Sequence, residues 1–374
     1  MRTILPAVPA LLAGGVAGRA TIATMDPDTV LVAEVIRSGL VESRHHGSMI
    51  ALHADGTVAL EHGTTRAPMY PRSANKPAQA AAMVRRGLRL DPELLALAAA
   101  SHSGEEFHVA GVRRLLAAAG VDESALRNTP GWPLDEPSKH ALLRSGGAAS
   151  SIVADCSGKH AAMLATCQLN GWSAENYLDA GHPLQVAIRG TIEELAGEPV
   201  AHTGVDGCGA PLFAFSLTGL ARLFRTMAIS GEGTAEYEIV AAIQAHPEYA
   251  SGTDRDEATL VRAVSGLFGK GGAEAVYAVA LTDGRAAALK IDDGGGRARP
   301  VVMAAMLRIL GVHEPVVDEL MSAPVFGGGA VVGEIRPAPW LMKPQSAVNP
   351  VHDDTQQEEG AQEQAAERHQ ARGQ

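Results

Sequence analysis

The sequence has few lysines, and this scarcity makes each of them informative. Arginine supplies most of the 31 basic residues, and lysine occurs only at Lys76, Lys139, Lys159, Lys270, Lys290 and Lys343. Arginine cannot lose its proton in a protein, whereas a buried lysine can lower its pKa and act as a base. The lysines are therefore the first positions to examine for base chemistry.

Other absences each exclude a class of protein. Cys156, Cys167 and Cys208 are the only cysteines and cannot form a disulfide framework, so the sequence predicts a reducing compartment and a cytoplasmic location. No apolar run is long enough to cross a membrane, which argues against a membrane partner. The basic residues form no stripe and do not alternate with aromatic residues, which argues against nucleic acid.

The patterning predicts one catalytic domain, residues 31–340, between two irregular ends. Residues 1–30 contain an apolar stretch that prolines and glycines interrupt, so we expect a disordered extension, or a start that is too long with Met25 as the initiator, rather than a signal peptide. Residues 341–374 end in a polar run of Gln and Glu. Such a run cannot bury enough apolar surface to fold, so we expect a disordered tail.

Strand patterns lie at both ends of this domain and helix patterns lie between them. Residues 31–36 are rich in β-branched side chains, and Asp-Gly pairs at 55–56 and 283–284 predict two hairpins. Residues 132–147 contain prolines and glycines and are predicted to be a loop, and 266–272 form another glycine-rich segment. The order predicts an α+β fold, with one antiparallel sheet from the N- and C-terminal strands and a helical middle.

Ser73 stands three residues before Lys76, where an apolar run begins. If a helix starts there, the two side chains share a face, and the amine could take the proton of the hydroxyl. The same S-x-x-K element occurs in serine β-lactamases and penicillin-binding proteins. The alternative is that Ser73 caps a helix and Lys76 is a solvated residue of its first turn.

Four glycine- and serine-rich motifs occur in a fixed order: Arg72-Ser73-Ala74-Asn75-Lys76-Pro77, Ala100-Ser101-His102-Ser103-Gly104-Glu105, Cys156-Ser157-Gly158-Lys159-His160-Ala161 and Asp206-Gly207-Cys208-Gly209-Ala210-Pro211. Several motifs in register are far more specific than any single one. Over roughly residues 31–310, the chain resembles the asparaginase II family of the Rhizobium etli type, also called class 3 L-asparaginases.

The resemblance implies a fold like that of serine β-lactamases and glutaminases, hydrolysis of L-asparagine to L-aspartate and ammonia, and a homodimer. It also assigns two catalytic pairs by position, Ser73 with Lys76 and Ser103 with Lys270. Arg72, His102 and Asp206 are the candidate substrate-binding residues. Asp206 is the best candidate to bind the α-ammonium group, with a turn-forming role as its alternative, and a structural role is the alternative for His102. The chain departs from the family pattern beside Lys270, where Gly269 and Gly271 replace an alanine and a larger apolar residue.

The resemblance further implies a zinc site at Cys156, Lys159 and Cys208. Thiolates are good zinc ligands, whereas a lysine amine must first lose its proton. From the residues alone, the cysteines are also consistent with two small buried side chains, and His160 is a further candidate ligand. We expect the metal to tune substrate affinity and not to be essential to the chemical step.

Three functions are consistent with these patterns. The first is a serine amidohydrolase acting on L-asparagine, and the second is a zinc hydrolase that uses a metal-bound hydroxide. The third is an amino-acid-binding protein without turnover. Two serine–lysine pairs favour an enzyme, since a binding protein has no use for two bases.

Overall fold

The computed structural model describes residues 29–342, so almost all of the two predicted end segments lies outside the described residues. The strands are β1 (Val30–Arg37), β2 (Leu40–Leu52), β3 (Val58–His62), β4 (Pro68–Met69), β5 (His202–Val205), β6 (Pro211–Ser216), β7 (Leu267–Gly271), β8 (Val276–Leu281), β9 (Ala286–Ile291), β10 (Ala323–Gly327) and β11 (Ala330–Pro337). The helices are α1 (Lys76–Arg85), α2 (Pro92–Ala98), α3 (Glu106–Ala118), α4 (Glu136–Arg144), α5 (Ser157–Asn170), α6 (Pro183–Ala196), α7 (Leu217–Ala228), α8 (Ala235–Ala245), α9 (Pro247–Ala250), α10 (Asp256–Ala263), α11 (Arg299–Ile309) and α12 (Pro315–Leu320).

An antiparallel sheet of eight strands forms the middle of the molecule. Its order is β10-β11-β1-β2-β9-β8-β7, with β3 paired to β2. The long strand β2 pairs with β1 through its first half and with β3 through its second half, and Gly47–Leu52 pair with β9 on the other side. Strands from the two ends of the chain therefore meet in one sheet, which confirms the predicted α+β fold.

The central strands divide their side chains between two apolar cores. In β2, Ile50 and Leu52 join a core with α1, α2, α5, α6, α7 and α8, whereas Met49 and Ala51 join a second core with α10, α11 and α12. Successive side chains of a strand point to opposite faces, so both faces of the sheet are covered by helices. The two cores lie on either side of one sheet in a three-layer arrangement.

The structure corrects three details of the sequence prediction. The loop predicted at 132–147 contains α4, whose first turn holds Pro137 and whose cap Asp135 accepts a hydrogen bond from the Ser138 amide. The glycine-rich segment 266–272 contains β7, an edge strand that carries Lys270. A second sheet, β4-β6-β5, stands beside the main one.

In the described part of the chain, no helix is both long enough and apolar enough to cross a lipid bilayer.

Candidate active site and metal-binding cluster

Ser73 lies in a single 3₁₀ turn, Arg72–Asn75, that leads directly into α1. The N-cap residue of α1 is Asn75, and no side chain makes a capping hydrogen bond to either the turn or the helix. The structure therefore does not support a capping role for Ser73. The Ser73 side chain is half-buried and its hydroxyl has no hydrogen-bond partner among residues 29–342. The hydroxyl is therefore free to face a ligand.

Lys76 is the first residue of α1 and is only 2% exposed, so it is not a solvated residue of the first turn. Its amine donates a hydrogen bond of 2.8 Å to the Ser101 hydroxyl, and it lies 3.9 Å from Asp155 Oδ2. Among the described residues, the Lys76 amine makes no hydrogen bond to Ser73. The helix start thus brings Lys76 to a serine of the next motif rather than to the serine three positions earlier.

The loop between α2 and α3 holds Ser101, His102 and Ser103, and all three are buried. The Ser103 hydroxyl donates 2.5 Å to Glu105 Oε2. His102 is fully buried, and its Nδ1 accepts from the Gly104 amide while its Nε2 contacts the Ser157 hydroxyl at 2.8 Å. Both ring nitrogens of His102 are occupied, so the ring ties the serine loop to the start of α5.

Lys270 projects from β7 and is 1% exposed. Its amine donates 2.8 Å to the carbonyl of Gly271 and lies 3.8 Å from Glu257 Oε1. Burial lowers its pKa to about 8; Glu257 opposes this shift, and the nearby charge of Lys76 adds to it. No hydrogen bond joins Lys270 to Ser103 in the described chain.

The end of β7 packs closely against the turn that holds Ser73. A Cβ atom built on Gly272 would lie 2.7 Å from the Pro71 carbonyl oxygen and 3.1 Å from the Ser73 amide nitrogen. Only glycine permits this approach without a shift of the backbone. The strand that carries Lys270 and the turn that carries Ser73 are therefore in direct contact.

Arg72 adopts an unusual backbone conformation next to Ser73. Its φ is +51°, and Glu274, 3.7 Å from the Arg72 guanidinium, also has a positive φ of +57°. Arg72 Nε donates 2.8 Å to Asp206 Oδ1. Non-glycine residues in this region cost about 1–3 kcal/mol each and often occur at functional sites. The ion pair with Asp206 holds Arg72 in that conformation at the edge of the site.

A second cluster lies where α5 begins and where the β5–β6 turn ends. Ligand atoms of Cys156, His160 and Cys208 lie within 4.8 Å of one another, and all three residues are buried. Lys159 donates 3.2 Å to Cys208 Sγ, which is 3.6 Å from Asp206 Oδ2. The two cysteines are therefore neighbours across a long stretch of sequence, together with both the lysine and the histidine that follows it.

The charges of this cluster depend on one another. Burial would lower the pKa of Lys159, but the sulfur atoms of Cys208 and Cys156 raise it overall. A hydrogen bond from Cys156, followed by the charge of Lys159, lowers the pKa of Cys208 far below that of an ordinary thiol. These directions favour the thiolate of Cys208 and the ammonium form of Lys159 when no metal is bound.

Two open clefts flank these groups. One, of 430 Å³, is lined by Asp155, Cys156 and Cys208. The other, of 540 Å³, is lined by Arg72 and Glu274 together with Tyr70 and Lys290. A small ligand can therefore approach the Ser73 turn and the cysteine cluster from solvent.

Comparison with known proteins places this site in a family. The sequence pattern of L-asparaginase II matches residues 33–337, which is most of the chain. The chain belongs to the L-asparaginase II family. A search of curated proteins found no match.

Solved structures give a weaker likeness. The chain is 15% identical to Mglu in its native form in the presence of 4.3 M NaCl, with a TM-score of 0.34, over 75% of this chain and 63% of that one. Against Mglu in its tris and glutamate form, the identity is 15% and the TM-score 0.32, over 75% and 64% of the two chains. The chain thus spans less than two thirds of the length of these Mglu chains.

The zinc that the family resemblance implies can be tested against this donor set. His160 Nε2 is buried and has no hydrogen-bond partner among the described residues, while His160 Nδ1 lies 2.8 Å from the Tyr177 hydroxyl. A histidine ligand usually has its second nitrogen held by such a partner. The sulfur atoms of Cys156 and Cys208 are suitable zinc ligands, and the third ligand can be the unpartnered His160 Nε2 or the Lys159 amine.

Sequence reasoning missed several residues around the family motifs. Ser101 lies inside one of the four motifs, close to His102 and Ser103, and that position could have identified it as a site residue. Glu257 and Arg299 lie near Lys270 but stand in helices with no motif around them, and Tyr177 lies in a segment without one. Only the folded chain brings these three residues to the site.

Proposed function

We propose that this protein hydrolyses L-asparagine to L-aspartate and ammonia through an ester on Ser73. Family membership supports the reaction class, since the matched pattern spans the whole site. The observation that carries the mechanism is that two buried lysines adjoin the Ser73 turn. Lys76 begins the helix that follows the turn, and Lys270, whose pKa falls to about 8, lies on the strand that contacts it. A neutral amine is what an unactivated serine requires.

In the first step, the Ser73 hydroxyl attacks the side-chain carbonyl carbon and its proton passes to Lys76. The Lys76 amine donates to Ser101 and makes no hydrogen bond to Ser73 among the described residues, so this step requires the amine to turn from Ser101 to the Ser73 hydroxyl. A C–O bond forms, and preorganised donors then stabilise the oxyanion. Ser73 is proposed over Ser101 because its hydroxyl is half-exposed and unpartnered, whereas Ser101 is buried.

In the second step, the C–N bond breaks and ammonia leaves with a proton from the lysine system. We propose that Lys270, acting together with Ser103, delivers or relays this proton. Water then attacks the aspartyl ester, returns a proton to Ser73 and releases L-aspartate. General acid–base help of this kind is worth about 10²–10⁴-fold in rate.

The substrate is a zwitterion, and the Arg72–Asp206 ion pair matches it. We propose that Asp206 accepts the α-ammonium group and Arg72 holds the α-carboxylate. Both side chains are partly exposed at the edge of the site, and they form a pair of 2.8 Å with each other. His102 is proposed to position the serine loop, since its buried ring already uses both nitrogens.

Zinc is proposed as a modulating cofactor held by Cys156 and Cys208, with Lys159 or His160 as the third ligand. When bound, the ion would supply positive charge beside Asp206, 3.6 Å from Cys208. We therefore expect it to affect substrate affinity more than the chemical step. No organic cofactor is proposed.

A second candidate function is a strictly metal-dependent amide hydrolysis in which Ser73 has no part. The observation that favours it is the grouping of Cys156, His160 and Cys208 beside a cleft. Ammonia release from L-asparagine, measured with and without a chelator, separates the two. Release that survives chelation supports the serine mechanism, and release that zinc alone restores supports the second candidate. No release in either sample would reject both.

We also propose that the protein is a homodimer in the cytoplasm and that residues 31–340 form its catalytic domain. Its partner is proposed to be L-asparagine rather than nucleic acid or a membrane. Light scattering of the purified chain tests the dimer, and a monomeric mass would reject it.

A further inference from the structure

A group of four charged side chains, two of them buried, lies beneath β7 and is not used by the proposed mechanism. Arg255, Asp256 and Glu257 stand at the start of α10, and Arg299 begins α11. The Glu257 side chain is 3% exposed and that of Arg299 is 9% exposed. Charges are seldom buried to this extent unless they are paired, so the arrangement calls for an explanation.

Glu257 is the centre of this group. Its Oε1 accepts a hydrogen bond of 3.2 Å from the Gly271 amide and lies 3.8 Å from the Lys270 amine and 3.6 Å from Arg299 Nη2. Its Oε2 accepts from Arg255 at 3.3 Å. One carboxylate therefore contacts the backbone of β7, the catalytic amine and two guanidinium groups.

Arg299 also pairs with the second carboxylate of the group, that of Asp256. It donates to both carboxylate oxygens of Asp256, at 2.8 and 3.1 Å, and its guanidinium lies 4.9 Å from the centre of the Tyr277 ring. The bifurcated hydrogen bond from Nη2 and the cation–π contact with the Tyr277 ring restrict the orientation of the guanidinium. The Glu257–Arg299 pair is thus a rigid support for the strand above it.

The glycine after Lys270 is what makes room for this pair. A Cβ atom at Gly271 would lie 2.1 Å from Arg299 Nη1 and 2.5 Å from Glu257 Oε1. Neither ion could stay in place beside a larger residue. The departure from the family pattern at this position therefore coincides with a specific feature of the structure.

We propose that Glu257 and Arg299 are positioning residues for Lys270, with Gly271 as the gap that admits them. The carboxylate fixes where the amine lies, and the guanidinium balances the carboxylate so that the lysine is not held as an ammonium ion. This inference rests on the proposed function only for the catalytic role of Lys270.

The charge balance supports this assignment. Two carboxylates, Asp256 and Glu257, face two guanidinium groups, Arg255 and Arg299, so the group is neutral when the Lys270 amine is neutral. A protonated Lys270 would be an additional buried positive charge, which is costly. The charged and titratable groups that face Lys270 or its partners are Lys76 from α1, Arg255, Asp256 and Glu257 from α10, Arg299 from α11 and Tyr277 from β8.

The test measures the titration of Lys270 directly. Because the chain has few lysines, isotope labelling of lysine gives a simple NMR spectrum in which Lys270 is assigned by the signal lost in Lys270→Arg. Glu257→Gln removes a charge that favours the ammonium, so the Lys270 titration should move to lower pH by about one unit or more. Arg299→Met removes a charge that disfavours it, so the titration should move to higher pH.

A double variant and a remote control complete the design. Glu257→Gln with Arg299→Met removes one charge of each sign and should bring the titration back toward that of wild type, as Glu257→Asp should. Glu236→Gln breaks the ion pair of another buried glutamate, 2.7 Å from the exposed Arg85 at the far end of α1, and should leave Lys270 unchanged.

The outcomes distinguish this inference from the proposed function. Opposite shifts in the two single variants support the positioning role, and the limb of the kcat/KM–pH profile that belongs to Lys270 should move with them. Equal titrations in wild type and both single variants, or shifts in one common direction, would overturn it. A wild-type protein that releases no ammonia from L-asparagine would reject the proposed function while the NMR result still decides the role of Glu257 and Arg299.

Discussion

Lys270 and Lys159 are equally buried, yet their surroundings give them opposite tendencies. Both are 1% exposed. Lys270 stands over a balanced set of carboxylates and guanidinium groups, with Lys76 nearby, and burial lowers its pKa to about 8. Lys159 stands beside two cysteine sulfur atoms, which overcome burial and raise its pKa. The sign of the neighbouring charge, rather than burial alone, determines which lysine can act as a base.

The contrast assigns different chemistry to the two ends of the site. Near Ser73, a lysine that loses its proton close to neutral pH can serve acid–base catalysis. At the cysteine cluster, the lysine is held as an ammonium beside the Cys208 thiolate, and only a metal that competes with its proton could use the amine. The following predictions test this division.

The largest effect is expected at the proposed nucleophile, Ser73. Ser73→Ala removes the nucleophile and should lower kcat for L-asparagine by about a thousandfold or more. Ser145→Ala, at an exposed serine on α4, should leave kcat unchanged. Turnover of Ser73→Ala at the wild-type rate would remove Ser73 from the mechanism.

The comparison itself is tested by replacing each lysine with methionine. Lys270→Met should lower kcat by about 10²–10⁴-fold, because a group that moves protons is lost. Lys159→Met should lower kcat much less, because that amine is proposed to act only on the cysteine cluster. Steady-state ammonia assays of both variants decide the matter, and equal losses would mean that the two lysines do not differ in role.

The identity of the third zinc ligand can be tested through Tyr177, whose hydroxyl contacts His160. Tyr177→Phe removes the hydroxyl that holds His160 Nδ1 at 2.8 Å. If His160 binds zinc, calorimetric titration of the metal-depleted protein should show affinity about 10–100-fold lower. Tyr237→Phe, at an exposed tyrosine, is the control. Unchanged affinity in Tyr177→Phe would favour Lys159 as the ligand instead.

The smallest effect is expected from removing the metal. Chelation should raise KM while kcat stays within about twofold of its value, since general acid–base groups remain in place. Complete loss of activity that zinc restores would contradict a modulating role and support the strictly metal-dependent alternative.

Much of the fold could be predicted because local signals agree with it. The short apolar runs of β8 and β9, the Asp-Gly turn between them and the prolines at the starts of α2 and α6 each specify structure over a few residues. Strand β7 was missed because Gly269 and Gly271 leave it without alternating side chains. Helix α4 was missed because Pro137 was interpreted as a loop residue instead of a first-turn residue.

The site could be predicted as a set of motifs but not as a set of contacts. Ser73, Lys76, Cys156 and Cys208 were all singled out from the sequence, and the fold brings the two cysteines together. The bond from Lys76 to Ser101 joins two motifs across α2, and the contact of Glu257 with Lys270 depends on how α10 packs under β7. Such pairings follow from tertiary packing, which local spacing does not encode.

The proposed mechanism requires that Ser73 carry an aspartyl ester during turnover. Wild-type protein mixed with L-asparagine, quenched in acid within a turnover and digested, should yield the peptide containing Ser73 with the mass of one added aspartyl group. The same peptide from Ser73→Ala should carry no addition. An aspartyl group on the peptide containing Ser101 and Ser103, or wild-type turnover with no modified peptide at any quench time, would contradict the claim.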